Sequence, residues 1–73
     1  MNREREHLVQ ADRYIAECKA HITRHRKLIQ EVEQKGQDAS WAREALQAFE
    51  KTLQLFEQHR QLIVDRLRYM EQG

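Results

Sequence analysis

The chain contains no proline, and of its two glycines only Gly36 is internal, the other being the terminal Gly73. Proline and glycine are the residues a helix interior tolerates least, at about 3 and 1 kcal/mol relative to alanine. Residues 2–34 and 41–71 are therefore two uninterrupted segments, both rich in Glu, Gln, Arg, Leu and Ala, the better helix formers. Between them runs Gln34-Lys35-Gly36-Gln37-Asp38-Ala39-Ser40. Gly36, lacking a Cβ, can take the left-handed conformation that ends a helix. Asp38 or Ser40 can cap the next helix, and Asp38 is favoured because its charge suits the positive end of the helix dipole. Asn2 suits the first cap, with Glu4 and Glu6 in the first turn. The sequence predicts one domain over residues 1–73: a helix over 3–34, a turn over 35–39 and a helix over 40–71. Each helix would be on the order of 45–50 Å long, and so short a loop leaves them antiparallel neighbours.

The apolar spacing agrees. Leu8, Ala11, Ile15, Cys18, Ile22, His25, Ile29 and Val32 advance by alternating steps of three and four. So do Ala42, Leu46, Phe49, Leu53, Phe56, Arg60, Ile63, Leu67 and Met70. That alternation is the seam of helices packed in coiled-coil fashion, interrupted only by His25 and Arg60. The expected fold is all-α, an antiparallel αα-hairpin. Numbering about a loop centre near 38 makes Glu17 the expected partner of Arg60, with Asp12 one turn further. Its stem would either lie along Phe56 and Ile63 with the head in solvent, or be held inside by the carboxylate.

A hairpin needs one seam, yet each helix carries a further column spaced by seven: His7, Tyr14, His21 and Leu28 on the first, Ala48, Leu55, Leu62 and Tyr69 on the second. The same numbering pairs His7 with Tyr69, Tyr14 with Leu62, His21 with Leu55 and Leu28 with Ala48 along one flank. Two helices alone cannot enclose a core, and small domains need such help. Dimerisation into a four-helix bundle would cover the flank, which makes Tyr14, His21, Leu28, Ala48, Leu55, Leu62 and Tyr69 the expected dimer interface.

The remaining chemistry is sparse. His21 and His25 stand one turn apart, the spacing that can chelate a transition metal, which makes a metal-responsive bundle the weaker alternative function; no third ligand is in view, and no metal or other cofactor is expected. His21–Lys27 reads HITRHRK and places Arg24 and Lys27 on one face. With 13 Lys/Arg against 12 Asp/Glu, a net charge of +1, the chain as a whole exerts little pull on polyanions. Nucleic-acid binding through Arg24 and Lys27 is thus an alternative to the main expectation of a non-enzymatic structural or protein-interaction module. Cys18, the one cysteine, sits on the seam, where a thiol behaves as a small hydrophobe. Trp41 is placed to cover the end of the bundle or to anchor a partner. There is no Gly-rich phosphate loop, no pocketed carboxylate pair and no Ser-His-Asp arrangement. No apolar run approaches the ~20 residues that span a bilayer, and no signal-peptide core follows Met1, so a soluble cytoplasmic homodimer without membrane contact is expected.

Ala11-Asp12, Ile15-Ala16, Ile22 with Arg26, the Gly36-x-Asp38 turn, Ala42, Leu46, Leu53, His59-Arg60, Ile63 and Leu67 together resemble a group of short helical-hairpin proteins of alphaproteobacteria, particularly soil and rhizobial species. The resemblance covers most of the chain. It implies a bacterial, cytosolic hairpin with no assigned activity, and it lends no catalytic or binding residue.

Overall fold

A computed structural model describes residues 3–72. They form α1 (Arg3–Gln34) and α2 (Ser40–Gln72), packed side by side and antiparallel into a rod 59 × 17 × 13 Å. The expected cap at Asn2 lies outside the described residues.

The turn follows from its backbone chemistry. Gly36 takes a φ of +73°. Its N–H donates to the Glu33 carbonyl at 2.9 Å, and the Gln37 N–H donates to the Val32 carbonyl at 3.1 Å. These are the two bonds of a Schellman motif, which satisfies carbonyls that the end of α1 would otherwise leave bare. Asp38 supports the start of α2 from one residue before the cap position, not as the expected cap, its Oδ1 accepting from the Ser40 N–H at 3.0 Å and from the Ser40 hydroxyl at 2.6 Å. Ala39 holds the cap position itself, since its carbonyl accepts the first helical bond, from Arg43 N–H. The Ser40 hydrogen bonds, followed by the nearby Arg43 charge, hold the Asp38 carboxyl below its ordinary value of 3.8.

Both seams face inward as the alternating steps require, except at Met70, which is exposed near the end of α2. Ala11, Ile15, Cys18, Ile22 and Ile29 of α1 and Ala42, Ile63 and Leu67 of α2 are buried. Two apolar clusters close the rod: Ala11, Ile63 and Leu67 with Leu8 at the open end, and Ile29, Ala39 and Ala42 with Leu28, Val32 and Leu46 at the turn. Between them Ile15, Cys18 and Ile22 are buried beside Phe49 and Phe56, which are only half-buried. No large side chain among the described residues is fully covered, as expected of two helices with nothing above or below them.

Three expectations need correction. Arg60 pairs through Nε with Asp12, not with Glu17. Asp12 lies on the flank toward which Arg60 leans, whereas Glu17 lines a groove on the opposite one. The guanidinium sits at the rim, its side chain 40% exposed, so the interior alternative does not occur. The flank pairing also differs: Tyr14 stacks on Phe56 at 5.8 Å between ring centres and His21 on Phe49 at 5.1 Å, rather than meeting Leu62 and Leu55. Numbers adding to 76 do describe the other flank, where Arg5–Glu71, Arg26–Glu50 and Arg43–Glu33 pair. Ala48, Leu55 and Leu62 lie about 100° beyond Phe49, Phe56 and Ile63, and Phe49 and Phe56 already line the groove edge of α2, so that column turns away from α1. Finally, Trp41 is exposed and does not cover the end; Ala39 and Ala42 fill it.

Candidate interaction surface

Midway along the rod a shallow groove opens on one flank. Tyr14, Glu17 and His21 form its α1 wall, Phe49, Thr52 and Phe56 its α2 wall, and Cys18 its floor; the space is about 170 Å³. The small Cys18 stands where α1 meets Phe49 and Phe56, so bulk on one helix faces little on the other. The Cys18 thiol is buried and donates to the Phe49 carbonyl at 3.2 Å. It is thus occupied and shielded, the condition of an inert structural thiol.

His21 and His25 share one neighbour, Phe49: His21 stacks nearly parallel to it and His25 meets it edge-on at 4.9 Å. Arg24 Nη2 donates to His21 Nδ1 at 3.3 Å, and His25 Nδ1–H donates to the His21 carbonyl at 3.0 Å. Both Nδ1 atoms are therefore engaged within α1, and a guanidinium lies beside one of the two rings. Among the described residues no group of three or more His, Cys, Asp or Glu is placed to hold a metal ion.

The basic segment is likewise turned in on itself. Arg24 Nε donates back to the Ala20 carbonyl at 3.4 Å, and Arg26 pairs with Glu50 at 3.5 Å. Arg24 and Lys27 are exposed, as expected, but Arg24 is engaged along its own helix.

The column on α2 stands on the same side of the rod as the groove. Leu55 is 58% exposed, Leu62 64% and Tyr69 81%. Ala48 is exposed too, and so are Tyr14 and His21, while Leu28 is half-buried against the turn-end cluster. The corresponding outer column of α1 reads Gln10, Glu17, Arg24, Glu31. The apolar surface therefore belongs to α2 and to the groove beside it. Sequence reasoning placed Phe49 and Phe56 on the seam without seeing that they wall a groove; the sign of it was large aromatics facing the small Cys18.

The fold defines an all-helical hairpin of two long helices. Comparison of the chain with protein-family models, curated proteins and solved structures finds no match. No helix among the described residues is long and apolar enough to cross a membrane.

Proposed function

We propose that this chain is a non-enzymatic structural module, a helical hairpin that self-associates into a dimeric four-helix bundle and serves as a rigid protein-interaction element. The observation that carries the reading is the column of Leu55, Leu62 and Tyr69, large apolar side chains spaced by seven and all more than half exposed. Scattered apolar residues are ordinary on a surface, but a column of large ones repeating every two turns beside an aromatic groove suits an association face. Covering what is exposed of the two leucines contributes roughly 1–2 kcal/mol each, or about 4–8 kcal/mol per dimer, before the cost of association. The incompletely covered interior points the same way, since a second hairpin encloses what one leaves open. The alternative, nucleic-acid binding through Arg24 and Lys27, is less well supported because Arg24 folds back on α1 and Arg26 is tied to Glu50.

Sedimentation equilibrium at micromolar concentration tests the proposal. The expected species has twice the 8.9 kDa chain mass, and Leu55→Glu with Leu62→Glu should dissociate or unfold it, because carboxylates would be buried without partners. A well-folded monomer across that concentration range overturns it.

A further inference from the structure

On the self-association reading above, we infer that the second copy docks on α2. The two α2 helices run antiparallel about a two-fold axis crossing near residues 58 and 59, with Leu55 of each copy against Leu62 of the other.

Three observations lead there. The first is which helix is apolar. Outward from the seam, α2 presents Leu55, Leu62 and Tyr69, while α1 presents Glu17, Arg24 and Glu31 at the corresponding positions. Stacking α1 of one copy on α2 of the other would set charges over leucines, leaving ions desolvated and apolar surface unmatched. Placing α2 on α2 sets leucine against leucine and leaves Arg66, paired with Glu4 near the open end of the rod, as the one formal charge within that face.

The second is periodicity. The column Ala48, Leu55, Leu62, Tyr69 alternates with Thr52, His59 and Arg66 in steps of four and three. That is a second coiled-coil seam on α2, rotated away from the one that α1 covers. It continues for about 30 Å of helix, and Thr52 is its half-buried edge on the groove.

The third is the match of this surface to its own reversal. A closed two-fold contact uses the same patch on both copies, each residue meeting its counterpart in the reversed order. Reversed about its midpoint, the column sets Ala48 against Tyr69, small against large, and Leu55 against Leu62. The next column outward is Glu44, Lys51, Gln58, Asp65. In that register Lys51 of each copy falls opposite Asp65 of the other, and Gln58 opposite itself. Asp65 accepts from Gln61 Nε2 at 2.9 Å along its own helix, and the bond uses Oδ1; Oδ2 lies on the same carboxylate for a cross-copy lysine. Sliding by one heptad sets either Lys51 or Asp65 against Gln58 and leaves one end of the apolar column unmatched. Opposed exposed charges add little affinity, but they select register.

Cross-linking and charge exchange test the arrangement, in a Cys18→Ala background so that the native thiol does not contribute. His59→Cys lies beside the axis and should form a disulfide-linked dimer under mild oxidation, while Gln10→Cys on α1 should not. Lys51→Asp should weaken the dimer roughly tenfold by setting two like-charged pairs across the contact. Lys51→Asp combined with Asp65→Lys should restore it, with the helical circular dichroism unchanged throughout. A dimer that shows no cross-link at 59 and no response to the exchange overturns the α2 docking and leaves self-association standing. A monomer at every concentration overturns both.

Discussion

Arg60→Leu is the substitution whose outcome most directly tests the packing described above. Arg60 occupies a seam position that the alternating steps would fill with an apolar residue, and it pairs with Asp12 at the rim. Its side chain is 40% exposed and that of Asp12 53%, so the pair is a surface pair and contributes about 0.2–1 kcal/mol. A leucine there, covered to about the same extent, contributes roughly 1–1.5 kcal/mol of burial. The arginine stem already shields part of that surface, so about half of the leucine contribution is new. The two effects nearly offset, leaving a net change between about −0.5 and +0.5 kcal/mol. A chain of this size moves in Tm by about 4–8 °C per kcal/mol, so the melting temperature should stay within about 2–4 °C of wild type. Circular dichroism melts of the wild type, Arg60→Leu, Asp12→Ala and the double variant close a cycle that isolates the pair, and its coupling should be below about 1 kcal/mol. A loss of several degrees in Arg60→Leu, or a coupling well above that bound, refutes the rim description and indicates an ion pair the fold requires. A polar seam residue also restricts register and oligomer choice. Light scattering should therefore find a broader distribution of species in Arg60→Leu, and one unchanged species would refute that part.

Gly36→Ala should lower stability by about 1 kcal/mol, read from denaturant midpoints: no atom lies within 4 Å of where the new Cβ would stand, so the loss comes from the φ of +73° alone. An unchanged midpoint would contradict the helix-ending motif. Asp38 stays charged to lower pH in the folded chain than in the unfolded one, so its contribution is full above its ordinary value of 3.8 and is lost as pH falls through the folded value. Asp38→Asn should accordingly melt below wild type at pH 7, with the gap closing on acidification; a gap that persists at pH 2 would refute the assignment. Zinc titration should leave the melting temperature flat, because a metal that bound the folded state would raise it; a rise abolished by His21→Ala would restore a metal site. Duplex and single-stranded DNA should show no measurable affinity near 50 mM salt, and strongly salt-dependent binding would revive the role of Arg24 and Lys27.

Much of the architecture was written in local residue order. The lack of proline, the single internal glycine and the Asp38 carboxylate beside Ser40 fix where the helices stop and start, because these are backbone preferences settled within a few residues. The alternating steps fix which face of each helix is covered, since a helix turns by the same angle at every residue. Ala11, Ile15, Ile22, Ile63 and Leu67 are buried where those steps place them. What the sequence could not decide is anything that depends on how one helix sits against the other. A single loop-centred numbering suits the flank of Arg5–Glu71 and Arg26–Glu50, yet on the opposite flank Tyr14 meets Phe56 and His21 meets Phe49, pairs whose numbers add to 70. The two flanks of an antiparallel pair are lined by different columns, each with its own offset, so one number cannot serve both. For the same reason Arg60 reaches Asp12 rather than Glu17, and Leu55 and Leu62 turn outward instead of closing the groove. The helices and their buried faces are properties of each segment alone; the partner of a side chain is a property of the pair, decided only when two curved surfaces settle on a common packing.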